Sequence, residues 1–105
     1  MQSRIAKLLS ELKKTGHAQM RNVGSSMEPV IPDGSILTYE VAAKYHVGDV
    51  VCCRIGNRYI DAHRIIEKPP DGRFLIANNV GKINGWAEEV FAKVIEVDGI
   101  KLEDE

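Results

Sequence analysis

The run Val50-Val51-Cys52-Cys53-Arg54-Ile55-Gly56-Asn57-Arg58-Tyr59-Ile60-Asp61-Ala62-His63-Arg64-Ile65-Ile66-Glu67 decides the architecture. Two apolar, β-branched segments flank Gly56-Asn57, and such a dipeptide between such segments predicts a tight hairpin. Residues 50–55 read as a buried strand and residues 58–67 as its return strand. Side chains alternate along a strand, so Ile60, Ala62, Arg64 and Ile66 are expected on one face. Tyr59, Asp61, His63 and Ile65 are expected on the other. Cys52 and Cys53 are adjacent and should point to opposite faces, one into the core and one outward, with no disulfide between them.

Outward from the hairpin the same punctuation repeats. Towards the N-terminus, Val47-Gly48-Asp49 reads as a turn and residues 35–40 as a strand. Pro32-Asp33-Gly34 is a strong turn signal, and residues 18–23 form a further short strand. Towards the C-terminus, Lys68-Pro69-Pro70-Asp71-Gly72 is a loop and residues 74–77 a strand. Residues 78–85 read as an irregular polar loop, and residues 90–97 as a long strand. Asp98-Gly99 turns the chain into a last short strand at 100–102. The N-terminus differs: Ile5, Leu8, Leu9 and Leu12 recur at helical spacing, which predicts an amphipathic helix from Ser3 to about Thr15. Ser3 is its candidate cap and Gly16 its stop. One helix (domain region 1–17) followed by about seven short strands (18–105) makes a mainly β domain, a small coiled sheet or barrel.

At 105 residues the chain is one domain with a modest core. Its 44% hydrophobic and 28% charged content is that of a soluble globular protein. A net charge of -1 argues against nucleic acid as a partner. The ends are polarised: Arg4, Lys7, Lys13, Lys14 and Arg21 face Glu11 alone, whereas seven acids from Glu88 onward face Lys93 and Lys101. The helix's basic face makes a partner or a membrane surface a candidate contact; its apolar stripe packing on the domain is the plainer reading. No apolar run approaches the ~20 residues needed to cross a membrane. The lack of spaced cysteines fits a reducing compartment, here the cytoplasm. The oligomeric state is not legible.

Val23-Gly24-Ser25-Ser26-Met27-Glu28-Pro29 is the stretch where chemistry is expected. Gly24 permits a sharp bend, and Pro29 restricts both itself and Glu28. Ser26 therefore stands in a rigid turn at the end of a strand. A hydroxyl held that way acts as a nucleophile if a base reaches it; a simple loop is the alternative. His63 is the candidate base, because imidazole near its ordinary pKa of about 6.5 can take a hydroxyl proton at neutrality. A structural histidine is the competing reading. His17 and His46 lie in turn-like places and look like surface residues. Three histidines and two adjacent cysteines have no ligand spacing, so neither a metal nor another cofactor is expected.

Ser26-Met27-Glu28-Pro29, Pro32-Asp33-Gly34-Ser35, Val47-Gly48-Asp49-Val50-Val51 and His63-Arg64-Ile65-Ile66 occur in that order. Together they resemble the successive boxes of the signal peptidase I and LexA-like serine peptidases, over about residues 18–97. His63-Arg64-Ile65 is similar to the branch that uses histidine rather than lysine as base. The resemblance implies a coiled β fold and a serine endopeptidase acting on a protein or peptide laid out as an extended strand. Ser26 would be its nucleophile and His63 its base. Ser25 and the Ser26 N–H would stabilise the oxyanion, and Met27 and Pro29 would line the substrate site. The substrate would run beside the strand before Ser26 and beside the His63 strand.

The histidine-type families place an aspartate in a later Gly-Asp-Asn-Asn box, where this chain has Ile76-Ala77-Asn78-Asn79. Ala77 occupies the acid's position, so Asp61 or an asparagine of residues 78–84, Asn78 first, is expected to orient His63. Where signal peptidases carry a membrane anchor, an amphipathic helix is expected here. Residues 1–25 show no Ala-Gly cleavage site and do not read as the DNA-binding domain of LexA-like proteins, so self-cleavage as a repressor switch is not expected. A catalytically inactive relative that binds peptides or serves in assembly is the alternative.

Overall fold

The computed structural model describes residues 3–102. The expected cap of the Ser3 side chain and the acidic residues 103–105 lie outside the described part. Helix α1 (Ser3–Thr15) is followed by β1 (His17–Arg21), β2 (Ile36–Glu40), β3 (Val50–Ile55), β4 (Arg58–Glu67), β5 (Phe74–Ala77), β6 (Ile83–Ala87), β7 (Glu89–Val97) and β8 (Ile100–Lys101). All strand pairs are antiparallel, in the order β1-β2-β7-β3-β4-β5-β6, with β8 on β7.

The helix forms where its apolar spacing demands. Ile5, Leu8 and Leu12 are 2%, 1% and 5% exposed, and each buried side chain of this size contributes roughly 1.5–3 kcal/mol. Lys13 and Lys14 sit favourably in the last turn, against the negative end of the helix dipole. The Gly16 N–H closes the helix on the Leu12 carbonyl at 2.8 Å. The apolar stripe is thus inside the domain, packed in one cluster with Met20, Leu37, Tyr39 and Val94. What remains for a partner or a membrane surface is the exposed side with Lys7, Lys13 and Lys14. No helix among the described residues is long and apolar enough to cross a membrane.

Strand β3 lies at the centre. Val50 and Cys52 belong to the cluster under the helix, while Val51 and Cys53 belong to a second cluster with Ile65, Ile76 and Ala87. The expectation of one core and one outward cysteine is therefore wrong: both are buried and free. The cause is that both faces of β3 are covered, and the continuous apolar run at 50–53 is the mark of such a strand. Burial pushes the Cys52 and Cys53 thiols up to about 12, the neighbouring sulfur adding to the effect at Cys52.

Five register shifts interrupt the ladders. An extra residue in one strand bends it and increases its twist. Repeated five times, this coils the open sheet. One shift corrects the face assignment of β4. Ile60 to His63 spans three steps of β4 against two, Cys53 to Val51, of β3. The alternation flips there, so Tyr59 and Ala62 pack in the first cluster and Ile60 and Ile65 in the second.

The sequence reading also missed a strand. Residues 83–87, mostly read as loop, form β6 against β5. Its pattern was masked because Asn84 is an extra residue: Ile83 pairs with Ala77 and Gly85 with Ile76, leaving Asn84 between them without a partner. Gly85 has a φ of 134°, and a Cβ there would come within 3.2 Å of Ile55 Cγ2. The position needs glycine for both conformation and space.

Candidate active site

The serine turn hangs between β1 and β2, and polar bonds close its neck. The Asn22 N–H donates to the Ser35 carbonyl at 2.7 Å, and the Gly34 N–H donates to the Asn22 carbonyl at 2.9 Å. The buried Asn22 side-chain amide donates to the carbonyls of Gly24 and Pro32, each at 3.2 Å. Asp33 Oδ1 accepts the Gly24 N–H at 2.8 Å, across the loop. Gly24 itself has a φ of 104°, so the bend that its residue type allows is used.

Two side chains plug the turn into the core. Met27 is 1% exposed and Ile31 is 0% exposed. The Ile31 N–H donates to the Met27 carbonyl at 2.8 Å, one helical turn. With Met27 directed inward, Ser25, Ser26 and Pro29 are left on the surface. Met27 is therefore a core anchor, which corrects its expected place in the substrate site. Ser25 and Pro29 stay available to a ligand.

Strand β4 brings His63 to this surface. The Ser26 hydroxyl lies 2.9 Å from His63 Nε2. On the far side of the ring, Nδ1 lies 2.6 Å from Asn84 Oδ1. An amide oxygen only accepts, so Nδ1 carries a proton, and in the neutral ring Nε2 then presents its lone pair to the Ser26 hydroxyl. That is the tautomer in which a histidine can take a serine proton. Both devices that aim these groups are register shifts: His63 follows the extra residue of β4, and Asn84 is the extra residue of β6. Bulges serve to redirect side chains in this way. The Arg58 guanidinium steadies the second one by donating to the Asn84 carbonyl at 2.9 Å.

Asp61 and Asn78, the two named first as orienting groups, are engaged elsewhere. Asp61 accepts from Arg4 Nη1 at 2.9 Å, and its carbonyl accepts from the Tyr39 hydroxyl at 2.8 Å. Asn78 Oδ1 accepts the N–H groups of Val80 and Lys82 at 3.1 and 2.8 Å. It shapes the turn that delivers β6 and makes no contact with His63. Ala77, where the families' aspartate was expected, is fully buried. The polar group comes instead from Asn84, beside Ala77's partner on the next strand. Asn84 falls within residues 78–84, whose asparagines are candidates on sequence grounds; that it forms a bulge beside the imidazole depends on the β5–β6 pairing.

Asn79 ties this loop to the serine turn. Its N–H donates to the Ser26 carbonyl at 3.0 Å, and its amide donates to the Glu28 carbonyl at 3.0 Å. Among the described residues the Ser26 N–H meets no protein acceptor. A groove of about 1210 Å³, lined by Val30, Arg64 and Asn79 among others, leads from the flank of the turn to β7. Strand β4 pairs with β3 over Arg58–Arg64 but with β5 only over Arg64–Glu67, so Arg58–His63 has a ladder partner on one edge alone; the strands at the ends of the sheet are β1 and β6. His17 pairs with Glu40, and His46 lies 3.9 Å from Asp49. Among the described residues no three His, Cys, Asp or Glu side chains gather as a metal site.

The family described as Peptidase S24-like matches residues 5–95. The match falls on the LexA side of the resemblance and does not single out the signal-peptidase branch. No match was found among curated proteins or among solved structures.

Proposed function

The chain belongs to the Peptidase S24-like family, and from that premise we propose that it is a serine endopeptidase of the Ser/His type. Its substrate is a protein or peptide bound as an extended strand. The observation that carries the reading is the alignment of Ser26 Oγ, the His63 ring and Asn84 Oδ1, at 2.9 and 2.6 Å.

In this reading Ser26 Oγ attacks the scissile carbonyl carbon while its proton passes to His63 Nε2. The oxyanion is met by the Ser26 N–H, with the Ser25 hydroxyl beside it. His63 then gives its proton to the departing amine, leaving an ester on Ser26 that water hydrolyses through the same base. Asn84 keeps the ring in the required tautomer, the part an asparagine plays in Cys-His-Asn constellations. The substrate lies extended beside β1, which leads to Ser26 and ends the sheet, and beside the His63 stretch of β4 that β5 does not pair. The work is cytoplasmic, and a partner or membrane surface is met through the lysines of α1.

A second reading rests on one observation. Asn84 is neutral, so no carboxylate stabilises an imidazolium at His63. A peptide-binding or assembly module that keeps the geometry without turnover has this feature. Reaction with a fluorophosphonate, followed by mass analysis of the modified residue, separates the two. The peptidase reading expects a single adduct on Ser26 that His63→Ala and Ser26→Ala abolish, and cleavage of unfolded test proteins. Binding of peptides with neither adduct nor cleavage establishes the module instead.

A further inference from the structure

The first turn of α1 carries a side chain that touches both halves of the site's framework. Arg4 Nη1 donates to Asp61 Oδ2 at 2.9 Å, and Arg4 Nη2 donates to the Arg21 carbonyl. Asp61 stands two residues before His63, inside the stretch where β4 carries its extra residue. Arg21 is the last residue of β1, from which the chain runs into the serine turn. One guanidinium therefore bridges the strand that bears the imidazole and the strand that delivers the hydroxyl.

Three facts make this bridge more than a surface ion pair. The ladder to β3 is out of step between Ile60 and His63, so regular pairing does not fix that stretch of β4. What holds Asp61 is its two other bonds, from Arg4 to its carboxylate and from the buried Tyr39 hydroxyl to its carbonyl. The base of the Arg4 side chain is also fixed, because the next residue, Ile5, is 2% exposed in the core. Finally, the pair is partly shielded, with side-chain exposures of 35% and 24%. A planar guanidinium reaches two acceptors in different directions, which an ammonium on one site does not reproduce.

We propose that Arg4 is a positioning residue for the Ser26–His63 pair: by bridging Asp61 and the Arg21 carbonyl, it sets the spacing between the strand of the base and the strand leading to the nucleophile. The proposal rests on the peptidase reading for its consequence and on geometry alone for its existence. Helix α1 is then a brace of the site, and anything that displaces its first turn slackens the catalytic hydrogen bond.

The test compares Arg4→Ala, Arg4→Lys, Asp61→Asn and Ser10→Ala, the last an exposed residue of the same helix. Arg4→Ala is expected to slow fluorophosphonate modification of Ser26 about tenfold or more and to lower kcat for peptide cleavage with KM little changed. Arg4→Lys restores part of the rate, and Ser10→Ala keeps the wild-type rate. Asp61→Asn, which preserves side-chain size, is slowed as well, and the double variant is no slower than the worse single one, because both remove the same link. Modification of Arg4→Ala and Asp61→Asn at the wild-type rate overturns the proposal. If the wild-type protein is not modified at all, the peptidase reading falls, and the bridge is then judged by ¹⁵N shifts of the His63 ring. A ring fixed as the Nδ1–H tautomer in wild type and averaged between tautomers in Arg4→Ala supports the bridge; identical ring shifts refute it.

Discussion

His63 and Asp61 stand two residues apart on β4 and end in opposite surroundings. His63 meets a surface hydroxyl and a half-buried amide, and its partners Ser26 and Asn84 both belong to irregular backbone. Asp61 meets a guanidinium from the helix and, through its carbonyl, the phenol of a tyrosine that is fully buried. Strict alternation would give the two residues equivalent places. The extra residue between Ile60 and His63 separates them, so that one polar seam opens to solvent and the other is locked against the core. On the reading proposed above the two seams divide the labour: the open seam is to hold reactive groups whose loss costs the fold little, and the closed seam the groups that fix where the open one stands.

The sharpest way to break this comparison is at His63. His63→Ala is expected to lower kcat/KM roughly 10⁴-fold or more, while unfolding free energy moves by only about 0.5 kcal/mol. A drop in melting temperature as large as that of a core variant would erase the distinction between the seams.

Asn84 sharpens the open seam further. Asn84→Ala should reduce the rate of Ser26 modification about tenfold, or ~1.4 kcal/mol in the barrier, because Nδ1 loses its acceptor. Asn84→Asp should raise the rate above wild type, since a carboxylate stabilises the imidazolium that forms. If Asn84→Asp were slower than Asn84→Ala, the amide would not be standing where an orienting acid could.

The closed seam is expected to answer in stability. Tyr39→Phe leaves the Asp61 carbonyl without its donor in a buried setting, a loss of about 1–3 kcal/mol read from urea unfolding with unchanged m. Burial raises the Tyr39 phenol well above its ordinary range, with the Cys52 and Asp61 charges adding to this and Arg4 opposing it. The hydroxyl therefore keeps its proton throughout the working range.

The last test concerns the cysteines, whose effect is absent at neutral pH. Their thiols are raised to about 12 in the folded chain, against about 9 when exposed. An acid raised on folding leaves stability intact below its unfolded pKa and lowers it as pH rises from there towards the folded value. Stability should therefore hold to about pH 9 and fall between 9 and 12, by less in Cys52→Ala measured against its own neutral value. Thiol reagents at pH 8 should modify both cysteines only at the rate of unfolding.

Local chemistry decided much of this molecule in the sequence. The helix over Ser3–Thr15, the hairpin at Gly56-Asn57 and the turn at Pro32-Asp33-Gly34 each follow from spacing or residue type, and so does the rigid setting of Ser26. What spacing could not supply is anything that depends on register. The flip at Ile60–His63, the burial of both Cys52 and Cys53, the strand at Ile83–Ala87 and the inward turn of Met27 arise from which strands pair and where an extra residue falls. So does the choice of Asn84 over Asp61 or Asn78 beside His63, because a side chain 21 residues away in the chain reaches the ring only through the coil of the sheet. Sequence fixes what a residue is able to do; pairing across distant strands fixes which of several able residues is in reach.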